Sequence, residues 1–191
     1  MLQNALANYG FDANAPVHLV DTYAEVSSGL KSQLEETDVL IISGGISVGD
    51  YDFVGKSLIE NGVEQRFYKV NQKPGKPLFF GTKGNKLVFA LPGNPAAALT
   101  CFLVYVIPAL RKMTGYGFKE LPRTQALLKG KTPKPSPKEQ FLKGYLLNSS
   151  VEILEGQSSA MLRTFADANA LIHLPANHTL QNGEEVEIIL L

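Results

Sequence analysis

Three short loops carry residue types suited to charged ligands. The first is Ser43-Gly44-Gly45-Ile46-Ser47-Val48-Gly49-Asp50-Tyr51-Asp52. Gly44, Gly45 and Gly49 let backbone N–H groups approach a phosphate closely, and a helix starting just beyond them favours the anion. Asp50 and Asp52 could hold a hard cation such as Mg²⁺, which takes a few carboxylates beside waters and substrate phosphates. A tight turn closed by an N-cap aspartate accounts for the same residues. The second loop is Lys73-Pro74-Gly75-Lys76-Pro77. Its Pro-Gly turn presents two ammonium groups on a short, stiff loop, which suits a small oxyanion or a phosphate, with lysine acting as a point charge. Two surface lysines beside a hairpin turn is the plain alternative. The third is Leu91-Pro92-Gly93-Asn94-Pro95. Here Asn94 is expected to cap a helix through its side-chain oxygen, Pro95 fits its first turn, and the helix N-terminus is open to anions. None of the three matches the Walker phosphate loop or the dinucleotide fingerprint.

Charge distribution points the same way. The chain has 191 residues, with 18 basic and 18 acidic side chains and zero net charge, so broad electrostatic binding to nucleic acid is not expected. Yet the 55 residues between Glu64 and Glu120 hold no Asp or Glu and nine cations, among them Arg66, Lys69, Lys73, Lys76, Lys83 and Lys86. A run of cations without counter-charge suggests a surface that meets anions.

The elements that must position these loops follow from periodicity. Met1 to Tyr9 has helical spacing and ends at Gly10; Thr22 to Glu36 reads as a helix with Val26, Leu30 and Leu34 on one face; Tyr51 to Glu60 reads as another. Strands are expected at 16–20, 38–43, 63–70, 77–80 and 86–91. Strands alternating with helices argue for an α/β domain over 1–116 with a three-layer, mostly parallel sheet. The helix after Pro95 should kink or restart at Pro108. Beyond Gly117 comes the proline-rich Lys129 to Lys138, then short β-like runs at 140–147, 151–154, 170–174 and 185–191, so 117–191 reads as a small, mainly β domain. The longest apolar runs, such as Cys101 to Leu110, stop short of the roughly 20 residues of a membrane span, and no signal peptide opens the chain. A soluble, cytoplasmic protein is expected. Cys101, the single cysteine, lies in an apolar run and reads as a core residue. His18, His173 and His178 do not cluster and read as structural rather than as zinc ligands.

The runs at 43–52, 73–77 and 91–95, in this order and spacing, resemble the molybdopterin molybdenumtransferase family, which includes the enzymatic domain of gephyrin. Gly156-Gln157-Ser158-Ser159-Ala160-Met161-Leu162, Ala168 to Ile172 and Gly183 to Val186 resemble the C-terminal β domain of that family. The resemblance implies molybdenum cofactor biosynthesis: molybdate is inserted into the dithiolene of adenylylated molybdopterin, AMP is released, and a divalent cation such as Mg²⁺ is required. It implies that Lys73 and Lys76 bind molybdate, with Ser159 as a supporting hydrogen-bond donor. Asp50 and Asp52, with Asp52 favoured, would hold the cation and the pyrophosphate it bridges. Gly44, Gly45, Ser47, Gly49, Pro74, Gly75, Pro92, Gly93 and Asn94 would line the substrate. The partners implied are the anionic pterin-nucleotide and, for the intact protein, a second copy in a homodimer; no nucleic acid and no membrane are expected.

The sequence departs from the family in three places. Ala96-Ala97-Ala98 stands where a serine is common. Pro137-Lys138-Glu139-Gln140-Phe141-Leu142-Lys143 replaces a Gly-Arg-x-Glu-Phe-x-Arg pattern, and lysine lacks the bidentate geometry of arginine. The chain also opens inside what would be the first helix of the α/β domain, without its first strand or the two preceding domains. A C-terminal fragment inactive by itself is therefore expected, with a non-catalytic binding or scaffold module of the same fold as the alternative.

Overall fold

The computed structural model describes residues 1–46, 52–115 and 120–191. The first half contains α1 (Leu2–Asn8), α2 (Tyr23–Glu36), β1 (Val39–Ser43), α3 (Phe53–Glu60), β2 (Glu64–Tyr68), β3 (Gln72–Lys73), β4 (Phe79–Lys83) and β5 (Lys86–Leu91). There follow α4 (Pro95–Cys101), a π-helical turn (Phe102–Val106), α5 (Ile107–Met113), β6 (Arg123–Lys129), β7 (Glu139–Leu147), β8 (Ser150–Ile153), α6 (Thr164–Asp167), β9 (Ala170–Leu174) and β10 (Glu185–Leu190). The chain divides into two compact units, Met1–Val70 with Pro77–Gly93, and Asn71–Lys76 with Asn94–Leu191.

The first unit is a four-stranded sheet in the order β1-β5-β4-β2. Only β1 and β5 run parallel; β4 pairs antiparallel with both β5 and β2, which corrects the expectation of a mostly parallel sheet. The reason is connection length. A parallel crossover needs a dozen or more residues, whereas β4 and β5 are joined by Gly84-Asn85 alone, and no helix intervenes between β2 and β5. One sheet face presents Phe79, Val88 and Ala90 to Val26, Leu30 and Leu34 of α2 and to Val54 and Leu58 of α3. On the strands, Phe67, Phe80 and Phe89 form an aromatic row, with centroids 5.5 and 4.7 Å apart. Residues 16–20 do not form a strand: Leu19 packs into the α2 and α3 core, while Val17 and Val20 are each 58% exposed.

In the second unit β7-β8-β6-β10-β9 is closed by a further β7–β9 pairing, so five strands form a small barrel to which β3 adds in parallel at the start of β7. Its core is Leu128, Leu142, Val151, Ile172, Leu174, Val186 and Ile188, the inward positions of alternating strands. Two strands, β3 and β6, lie where no strand was expected. The helix after Pro95 does change at Pro108: the π turn precedes α5 and absorbs the missing proline N–H. Across α4, the π turn and α5 the helix runs Pro95–Met113, long and apolar enough by length and composition to cross a membrane, contrary to the reading of shorter apolar runs. Ala96, Ala97, Ala98, Cys101, Phe102, Val106 and Ile107 are at most 2% exposed, which makes it a core helix.

Candidate functional site

In the first unit the loops emerge from the carboxyl ends of the two parallel strands. The register sets Ser43 opposite Leu91, and Gly44 N–H donates to the Leu91 carbonyl at 3.2 Å. Gly44 and Gly45 have φ of +87° and +70°, which an L side chain rarely adopts. A Cβ on Gly93 would lie 3.6 Å from Gly44 Cα, so two glycine corners meet backbone to backbone. A Cβ on Gly45 would strike Val54 of α3. Gly44, Gly45, Pro92 and Gly93 are therefore brought together, and both Gly45 and Gly93 are exposed. Such a side-chain-free surface suits close approach of a flat or phosphorylated ligand.

Asp52 is half-buried and is the N-cap of α3: its Oδ1 accepts from Gly55 N–H at 2.9 Å. The capping reading thus holds. Its second oxygen makes no hydrogen bond among the described residues. No group of three or more His, Cys, Asp or Glu converges to hold a metal among the described residues. A magnesium ion held mainly by water and substrate phosphate requires only one or two carboxylates, so the donor set present fits such an ion. Ser47, Gly49 and Asp50 lie outside the described residues.

In the second unit Lys73 ends β3 and Lys76 follows three residues on, with a cis Lys73–Pro74 bond and Gly75 at φ +94° between them. Both lysines are exposed, and neither has an ion-pair partner among the described residues. Gly75 is buried behind them, so the turn presents its two cations outward from a packed backbone.

Asn94 precedes Pro95 of α4, but its side chain does not cap that helix. Instead the Ser159 carbonyl accepts the Ala97 N–H at 3.1 Å, the bond the cap would have made, and Asn94 Nδ2 donates to Ser159 Oγ at 3.0 Å. Because the serine oxygen is the acceptor, its own proton remains available for a ligand. The loop carrying Ser159 is pinned from behind. Gln157 Nε2 donates to the Lys143 and Leu154 carbonyls, at 2.8 and 2.7 Å, and its Oε1 accepts from Lys143 N–H. Lys143, 4% exposed, donates Nζ to the carbonyls of Gly156, Ser158 and Met161 at 2.8, 3.3 and 3.2 Å. Burial holds its pKa below the ordinary lysine value. Lys143 is thus a scaffold for the Ser159 loop, its three donors matched to three carbonyls.

Sequence reasoning missed Lys143 in this role, and also Gln72, which is buried behind the lysine turn. For Lys143 the available signal was a charged side chain directly after the apolar Phe141-Leu142 of β7. Cys101 is buried and its thiol is pushed up to about 12 by desolvation, in keeping with a core residue.

Comparison with known proteins finds matches along most of the chain. Residues 1–112 match the family model described as "Probable molybdopterin binding domain" and residues 125–191 the MoeA C-terminal region, domain IV. The chain is 32% identical to the molybdenum cofactor synthesis protein cinnamon of Drosophila melanogaster, over 92% of its own length and 30% of that protein. It is 32% identical to a molybdopterin molybdenumtransferase of Haemophilus influenzae, over 89% of its own length and 44% of the relative. The crystal structure of a molybdopterin biosynthesis MoeA protein from Pyrococcus horikoshii superposes with a TM-score of 0.80 at 29% identity, covering 99% of this chain and 46% of that one. The chain thus spans less than half the length of these relatives. It belongs to the family of molybdopterin molybdenumtransferases and gephyrins, in the part that joins a molybdopterin-binding domain to the MoeA C-terminal region.

Proposed function

We propose that this chain serves molybdenum insertion in molybdenum cofactor biosynthesis, the step that joins molybdate to the dithiolene of adenylylated molybdopterin and releases AMP. The observation that carries the reading is the exposed pair Lys73 and Lys76, without counter-ions among the described residues, on a turn whose backbone is buried. Lys73 and Lys76 take the oxyanion as point charges, and the Ser159 hydroxyl adds one hydrogen bond. Gly44, Gly45, Pro92, Gly93 and Asn94 lie against the pterin-nucleotide. Asp52, with Asp50, would hold a magnesium ion, which when bound neutralises charge as the phosphoanhydride breaks. The chain covers less than half of the named transferase from Haemophilus influenzae, and complete turnover is assigned to the longer protein rather than to this chain alone.

Equilibrium dialysis of molybdate against the wild-type chain and Lys73→Ala tests the reading. Saturable uptake lost in the variant supports it. Equal uptake by both chains contradicts it.

A further inference from the structure

Gln72 is 2% exposed, and none of the roles above uses it. Its carboxamide is nonetheless fully engaged. Nε2 donates to the Pro74 carbonyl at 2.9 Å and to Cys101 Sγ at 3.6 Å, and Oε1 accepts the Tyr105 hydroxyl proton. Cys101 Sγ in turn faces the Gly75 carbonyl at 3.8 Å. Cys101 closes α4 and Tyr105 lies four residues on in the π turn, so both face the lysine loop from one side of the helix. The approach is close: a Cβ on Gly75 would collide with Cys101 Sγ and lie 2.9 Å from Gln72 Nε2.

Both carbonyls between the two lysines are thereby turned toward the buried side, while the lysine side chains are exposed. That orientation matters for an anion. A carbonyl oxygen swung outward would compete with an oxyanion for the ammonium groups and repel it. We infer that Gln72 is a positioning residue for oxyanion capture: its amide holds the Pro74 carbonyl inward and, with Cys101 and Tyr105, latches the Lys73–Lys76 turn onto the helix. The inference rests on the reading of that turn as the oxyanion site.

The test uses the whole chain with Gln72→Met, which keeps length and burial but removes the donor, and Tyr105→Phe as a milder second variant. Two readouts are taken beside the unfolding midpoint. The first is molybdate affinity by calorimetry. The second is the alkylation rate of Cys101 by N-ethylmaleimide, which reports on one thiol because the chain has one cysteine. A buried thiol with its pKa near 12 reacts slowly unless the latch opens. Gln72→Met is expected to weaken molybdate binding roughly ten-fold, the worth of one buried hydrogen bond, and to speed alkylation, with the midpoint lowered because the Pro74 carbonyl loses this donor and the Tyr105 hydroxyl this acceptor, but the chain still folded under the assay conditions. Tyr105→Phe shifts both readouts the same way by less. Wild-type affinity in Gln72→Met overturns the inference, whether or not the thiol opens. If Lys76→Ala abolishes binding in the same series, the oxyanion reading survives that failure. Should the wild-type chain take up no molybdate, the oxyanion reading fails and alkylation alone decides the latch: a faster rate in Gln72→Met supports it, an equal rate overturns it.

Discussion

Ser159 caps the helix that Asn94 was expected to cap. The Ser159 carbonyl takes the Ala97 N–H, and the Asn94 amide, released from that duty, donates to Ser159 Oγ at 3.0 Å. One residue thus supplies a backbone acceptor to the helix and keeps a hydroxyl proton for a ligand.

Ser159→Ala separates these roles. The carbonyl bond to Ala97 persists, so urea unfolding should lose less than about 1 kcal/mol. Molybdate affinity measured by calorimetry should fall about three- to ten-fold, the worth of one charge-assisted hydrogen bond in a partly exposed setting.

Asp52 has a structural and a proposed chemical role, and two substitutions divide them. Asp52→Ala removes the acceptor for Gly55 N–H and should cost about 1 kcal/mol in denaturant unfolding. Asp52→Asn keeps a capping oxygen and should unfold nearly as the wild type does. If the carboxylate holds magnesium, Asp52→Asn should nonetheless lose the magnesium dependence of AMP binding.

Lys143→Met leaves the Gly156, Ser158 and Met161 carbonyls without their donor in a buried setting. Urea denaturation should show a loss of about 2–4 kcal/mol, partly offset by relief of burying an ammonium. Lys131→Met, which breaks a fully exposed pair with Glu155, should leave the midpoint close to wild type.

The barrel carries an acid-sensitive contact. Glu187 on β10 accepts from His173 at 2.8 Å and pairs with Arg123 at 2.6 Å; the His173 hydrogen bond first, then Arg123, holds its carboxyl below the ordinary glutamate value against the opposing effect of burial. The unfolded chain therefore binds more protons than the folded one in the window just below ordinary glutamate titration. The stability from this group is full above that window and is lost as pH falls through it. Glu187→Gln should flatten the acid limb of a stability–pH curve while leaving its alkaline limb in place.

Much of this was legible in the sequence, for identifiable reasons. The apolar run at 38–43 gave β1, and the face of Val26, Leu30 and Leu34 gave α2, because burial imposes periodicity. Gly44 and Gly45 marked the loop after β1, since both sit at positive φ that L side chains rarely adopt. Sheet direction was misread because the helix-strand alternation of residues 1–60 does not continue to Leu91, where strands follow one another through short turns. The Asn94 cap was misread because its competitor, Ser159, is 65 residues away in sequence. Lys143 escaped notice because its partners are loop carbonyls, and Gln72 because two of its partners, Cys101 and Tyr105, are 29 and 33 residues away in sequence.

The central claim is that the Lys73–Lys76 turn binds an oxyanion, and the most direct measurement is a calorimetric titration of molybdate into the wild-type chain and Lys76→Ala. Saturable binding that falls at least about ten-fold in the variant, with both chains folded, is the result expected for loss of one of two point charges on the anion. Binding of equal strength in both chains, or none by a folded wild-type chain, would contradict the assignment of this turn while leaving family membership intact.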